Sequence, residues 1–141
     1  MIYIGIDTGV HTGLAVWDSK RRRLEECKTV LIHQAIEEVT IMHAVLGDEL
    51  TVVIEDARQR RWIPREKNLA TFKGRAMGAG SVKRDASIWQ YFLVDKKIRH
   101  LMVPPKAGMT KLNADAFQRI TGWVGRTSSH ARDAAMLVFG R

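Results

Sequence analysis

Residues 2–17 read Ile2-Tyr3-Ile4-Gly5-Ile6-Asp7-Thr8-Gly9-Val10-His11-Thr12-Gly13-Leu14-Ala15-Val16-Trp17. The first five are apolar and rich in β-branched and aromatic side chains, which suits a buried strand. Thr8 to Gly13 is expected to turn the chain, with two glycines free to adopt positive φ. Leu14 to Trp17 is again apolar, so the stretch predicts a β-hairpin with Asp7 at the end of its first strand.

Working outward, Asp18-Ser19-Lys20-Arg21-Arg22-Arg23 is a charged turn, and Leu24 to Ile32 reads as a third strand. Residues 34–46 carry Ala35, Ile36, Val39, Met42, Val45 and Leu46 at helical spacing. Thr51-Val52-Val53-Ile54 is a short apolar strand ending in Glu55. Residues 66–94 predict a long helix, in which Gly74, Gly78 and Gly80 would allow close backbone contact or a break. Ile98 to Val103 predicts a last strand, stopped by Pro104-Pro105. Residues 111–121 and 130–139 predict two helices, with Thr110 and either Ser128 or Ser129 as N-caps. The order β-β-β-α-β-α-β-α-α implies one α/β domain: a mixed sheet that starts with three antiparallel strands and carries helices on both faces.

The chain has 141 residues, 45% of them hydrophobic, enough for a single core. No window holds the roughly 18 apolar residues of a membrane span. The start has neither a basic leader nor a cleavage site of small residues, so a cytoplasmic protein is expected. One cysteine, Cys27, excludes an internal disulfide. Lys and Arg number 23 against 15 Asp and Glu, a net charge of +8 that favours a polyanionic partner such as nucleic acid. Much of the excess is concentrated in Arg58, Arg60, Arg61, Arg65, Lys67, Lys73 and Arg75, opposed only by Glu66 and lying directly after Glu55-Asp56.

Three acids stand where a metal site would want them. Asp7 and Glu55 end apolar strands, and Asp133 lies near the start of the last helix with His130 three residues earlier, on the same helical face. Taken singly, each has an ordinary structural reading: a turn former, a solvated strand end, a helix-start residue, an acid complementing the helix dipole. Taken together they suit phosphodiester hydrolysis. Two Mg²⁺ ions about 3.5–4 Å apart can activate water and stabilise the leaving oxygen, and Mg²⁺ prefers carboxylates and phosphates. In an extended chain Glu55 and Asp56 face opposite sides, so one of them enters the site, and Glu55 is favoured.

The run from Ile4 to Val16 resembles the opening hairpin of the RuvC family of Holliday junction resolvases. Val53-Ile54-Glu55 resembles that family's second acidic motif, and His130-Ala131-Arg132-Asp133-Ala134-Ala135 its closing helix. Lys67 to Ala79 is similar to the helix after the glutamate, and Pro104 to Thr121 to the segment of basic DNA contacts. The resemblance implies a ribonuclease-H-like three-layer fold. It implies Asp7, Glu55, His130 and Asp133 as catalytic and metal-binding residues around two Mg²⁺ ions, which Mn²⁺ can replace. It also implies a homodimer that resolves four-way junctions by paired symmetric nicks, in a bacterial cell or, given the short chain, a phage-infected host. The family aromatic that follows the glutamate has no match at its usual offset. Trp62 stands nearby, flanked by arginines, which leaves junction selectivity more open than nuclease chemistry.

Lys106 and Lys111 join the basic cluster and Trp62 as candidate DNA contacts, Lys111 at the expected start of a helix where phosphate could meet free N–H groups. Trp89 and Trp123 are expected in the core or at a dimer interface, His11 in the turn, and Met77, Met102, Met109 and Met136 as core fillers. Two other readings stay open. One is a nuclease of the same fold for other branched DNA or RNA–DNA hybrids. The other is a non-catalytic DNA-binding module.

Overall fold

In a computed structural model that describes residues 1–59, 69–106 and 111–141, with side chains in 69–76 and at 79 left aside, the chain forms a five-stranded mixed sheet. In chain order the elements are β1 (Ile2–Asp7), β2 (His11–Asp18), β3 (Arg23–Leu31), α1 (Ile32–Leu46), β4 (Leu50–Glu55), α2 (Leu69–Asp95), β5 (His100–Val103), α3 (Ala114–Thr121) and α4 (Ser129–Val138). The strands lie in the order β3-β2-β1-β4-β5. β1–β2 and β2–β3 pair antiparallel, as adjacent hairpins do, whereas β1–β4 and β4–β5 are parallel and joined by crossovers that carry α1 and α2.

Both faces of the sheet are covered. Ile4, Ile6, Leu14, Val16, Val52 and Ile54 point to one side, where they pack on Ala35 and Val39 of α1 and on Trp89 and Leu93 of α2. The intervening residues, Ala15, Trp17 and Val53, point to the other side and meet Phe117 of α3 and Ala131, Ala134, Ala135 and Val138 of α4. Strands buried on both faces therefore read as continuous apolar runs rather than as alternation. Among the described residues, no helix is long and apolar enough to cross a membrane.

Several expectations shift. Gly13 lies in β2, not in a turn, and neither it nor Gly9 has positive φ. Gly13 is needed for a different reason: a Cβ there would run into the His130 carbonyl, and one at Gly5 into the Ala134 carbonyl. The two glycines let α4 lie directly on the backbone of β1 and β2, against its own Ala131, Ala134 and Ala135. In α1, Val45 is exposed, because the buried face runs through Ala35 and Val39 at 3.6-residue spacing. Met77 on α2 is also exposed rather than a core filler, while Met102 and Met136 are partly buried against the two clusters. Met109 lies outside the described residues.

β5 and α3 start later than their apolar spacing suggests, and α4 starts one residue earlier, at Ser129. β5 begins at His100, Ile98 being a buried residue of the preceding turn. α3 begins at Ala114, with Asn113 Oδ1 accepting from the Ala116 backbone N–H. Lys111 therefore precedes the helix and does not share its free N–H groups, and Thr110 lies outside the described residues. α4 is capped by Ser128, which accepts from the Ala131 N–H.

Candidate active site

The site is assembled where two parallel strands end under the start of α4. Ile6 lies opposite Ile54 in the β1–β4 ladder, so the next residues, Asp7 and Glu55, leave the sheet at the same level. Both fall on the side that carries Gly5 and Val53, the side covered by α4. Because Gly5 and Gly13 seat α4 closely, His130 in its first turn and Asp133 one turn on come down over these strand ends.

His130 Nδ1 lies 2.8 Å from Asp7 Oδ2. With Asp7 ionised, Nδ1 carries the hydrogen and donates it, so Nε2 is the imidazole's acceptor nitrogen. Lys111 Nζ donates to Asp133 Oδ2 at 2.6 Å. The same ammonium feels the charges of Asp7 and Glu55 at longer range. Burial pushes the Asp7 carboxyl above the ordinary aspartate range; His130 pulls the other way, and the Asp133 charge adds to the rise. The hydrogen bond to Asp133 holds the Lys111 ammonium above the ordinary lysine range, against the opposing effect of partial burial.

Glu55 and Asp56 are separated as strand alternation requires. Asp56 is buried and binds Arg58 through both oxygens, at 2.7 Å to Nε and 2.8 Å to Nη2. Arg58 also donates to Ser87 Oγ and Gln90 Oε1 of α2. It clasps the turn after β4 to α2, and its guanidinium is committed to protein partners. Of the other candidate DNA contacts, Lys106 is exposed and Lys111 is the cation just described. Arg60, Arg61, Trp62, Arg65 and Lys67 lie outside the described residues, as do the side chains of Lys73 and Arg75. His11 is exposed at the start of β2, one strand over from Asp7.

Sequence reasoning missed one residue that shapes the site. Arg132 donates from Nε to the Leu112 carbonyl at 2.8 Å, and from Nη1 to the Thr127 carbonyl at 2.9 Å and to Thr127 Oγ1 at 3.1 Å. It thereby ties the segment bearing Lys111 to the start of α4. Its position between His130 and Asp133 was the available signal. Trp17 is buried, donates to the Arg141 carbonyl at 2.9 Å and packs edge-on against Phe139. Trp89 is core, and Trp123 packs against the α4-side cluster.

Among the described residues, no three of His, Cys, Asp and Glu converge closely enough to hold an ion in this arrangement. The donor chemistry of Asp7, Glu55 and Asp133 is of the kind a hard divalent cation takes, since all three are carboxylate oxygen donors. No protein-family model matches the chain, and no curated protein matches it either.

Proposed function

We propose that the chain is a metal-dependent endonuclease of ribonuclease-H-like architecture that cuts branched DNA, with Holliday junctions as its substrate. The observation that carries this reading is that Asp7 and Glu55 end adjacent parallel strands while His130, at the start of α4 and one turn before Asp133, is hydrogen-bonded to Asp7. Such carboxylate sets serve phosphodiester hydrolysis, and the net charge of +8 favours a polyanionic substrate.

Asp7, Glu55 and Asp133 would hold Mg²⁺ or Mn²⁺, with His130 at their margin. A bound pair of ions would supply an activated water and stabilise the leaving oxygen. The chain's own groups do the rest. The His130 Nδ1–H bond fixes Asp7 Oδ2 and sets the imidazole so that Nε2 can take or return a proton. Lys111 offers a phosphate a charged donor, and the exposed Lys106 offers a second positive charge.

A homodimer would present two such sites to the symmetry-related strands of a four-way junction. α2 supports this reading: Met77, Tyr91 and Val94 are exposed, and a Cβ at Gly78 or Gly80 would meet nothing among the described residues. The deciding experiment is cleavage of a mobile four-way junction beside three-way and linear duplexes, with and without Mg²⁺, mapping the cuts. Paired symmetric nicks only in the four-way substrate and only with metal are expected. Equal cutting of every substrate refutes junction selectivity, and no cutting with Mg²⁺, or with Mn²⁺ in its place, refutes the nuclease.

A further inference from the structure

Four consecutive basic residues, Lys20-Arg21-Arg22-Arg23, run through the turn between β2 and β3, and all four are exposed. Local acids take two of them. Glu25 pairs with Arg21 at 3.4 Å and with Arg23 at 2.8 Å, and Asp18 pairs with Arg21 at 3.7 Å. Lys20 and Arg22 have no acidic partner among the described residues. The turn is closed without their side chains. Asp18 Oδ1 accepts from the backbone N–H groups of Lys20 at 2.8 Å and Arg21 at 3.1 Å, and the Ser19 hydroxyl donates to the Met1 carbonyl at 2.8 Å.

The backbone of Arg22 is in the left-handed region, with a φ of 54°. A Cβ is disfavoured there, and glycine enters freely. Among the described residues the other non-glycine with positive φ is Lys97, which follows α2, where a cation meets the exposed carbonyls of a helix end. Arg22 ends no helix, and no acid takes its charge. The turn would be better served by glycine, so the strain is explained by a use for the guanidinium outside the fold.

We propose that the β2–β3 turn is a second contact for nucleic acid, in which Lys20 and Arg22 each meet a backbone phosphate. The inference rests on the DNA-binding part of the reading above and not on a metal site. In the β1–β2 ladder Asp18 lies opposite Ile2 and Gly13 opposite Asp7, so the turn is at the end of the sheet away from Asp7. The two levels are five residue steps apart, about 17 Å. That is about five base pairs of duplex at 3.4 Å each, so the turn meets a different stretch of DNA from the one at the ends of β1 and β4. Exposed Asp48 and Glu49, in the turn before β4 and two strands from β2, bound the positive surface on that side. Phosphate contacts of this kind position a duplex without reading its sequence.

The test is binding of a fluorescently labelled four-way junction, read by anisotropy across a range of salt with divalent metal chelated. Wild type is compared with Arg22→Gly, Arg22→Lys, the double variant Lys20→Gln with Arg22→Gly, and Lys28→Gln. Lys28 is paired with both Glu26 and Glu38, so its loss lowers the net charge by the same unit without removing a free cation. The slope of log affinity against log salt should fall by about 0.9 in Arg22→Gly and by about 1.8 in the double variant, while Arg22→Lys and Lys28→Gln keep the wild-type slope. Arg22→Gly should also melt about 2–4 °C above wild type, because the left-handed backbone no longer carries a Cβ. Weaker binding joined to higher stability separates a phosphate contact from an ordinary turn residue, whose replacement would raise stability alone. An unchanged slope in the double variant, or as large a fall in Lys28→Gln, overturns the contact. Arg22→Gly melting at or below wild type removes the backbone argument and overturns it too. If wild type itself fails to bind the junction, the DNA-binding reading fails, and this contact with it.

Discussion

Replacing Gly13 by alanine tests how the site is assembled. A Cβ at this position would lie 2.5 Å from the His130 carbonyl carbon and 3.2 Å from the Ala131 nitrogen. Carbon atoms sit comfortably at about 3.5 Å, so the start of α4 must retreat by about 1 Å. The His130–Asp7 hydrogen bond, 2.8 Å in the wild type, would then stretch to about 3.8 Å, beyond hydrogen-bonding range. Forcing atoms into a filled contact costs about 1–3 kcal/mol, and in a domain of this size each kcal/mol lowers the melting temperature by about 4 °C. Gly13→Ala should therefore melt about 4–12 °C below wild type by circular dichroism and lose most of its cleavage. Gly9→Ala is the control: its nearest neighbour would be the His11 carbonyl oxygen at 3.4 Å, an ordinary contact, and its φ is not positive. If Gly13→Ala melts within a degree of wild type, or Gly9→Ala falls as far, close seating of α4 is not what holds the site.

Asp7→Asn, Glu55→Gln and Asp133→Asn should each reduce junction cleavage at least about a hundredfold while retaining junction binding in gel shifts; a mutant that cuts at the wild-type rate removes its residue from the site. Asp7→Asn should in addition raise the melting temperature at neutral pH. Burial raises the Asp7 pKa above 3.8, so its ionised form costs stability; that cost is absent below the unfolded pKa, grows as pH rises through the folded one, and vanishes in the amide. Arg58→Ala should destabilise by about 1–3 kcal/mol at pH 7, because it strips the buried Asp56 of its partner. Arg58 holds the Asp56 pKa below 3.8, so the advantage of wild type is present above that value and is lost as pH falls through the folded pKa; urea melts of both proteins from pH 7 to pH 2.5 read it. Cys27 is buried, donates to the Ala131 carbonyl, and has its thiol pushed up to about 11 by burial. It should resist a thiol reagent at pH 8 in native protein and react at once in denaturant.

The strands and helices were legible because their apolar runs are long relative to the turns between them. Boundaries were less so. Thr110 and Asn113 are both acceptable N-caps for α3, and sequence offers nothing to rank them; the structure uses Asn113. Gly13 was misread because a glycine kept for tight packing looks the same as one kept for a turn. Which side of the sheet receives the carboxylates followed from period-2 alternation, and Glu55 and Asp56 do diverge, Asp56 to Arg58 and the α2 side. The pairing of Lys111 with Asp133 spans 22 positions. It depends on Arg132 folding the intervening chain back, which no local pattern announces.

The two-sided core has a consequence for how such a chain can change over generations. Along β4, Val52 and Ile54 belong to one half of the core, and Val53, with Glu55 in phase, to the other. Losing or gaining a single codon within this strand would rotate everything beyond it by half a pleat and carry Glu55 to the side of α1 and α2, away from Asp7. Single-residue length changes in β1 or β4 are thus closed to the lineage, while the turns at Asp18 and Gly47 can grow or shrink freely. Length variation among descendants should collect at the end of the sheet away from Asp7.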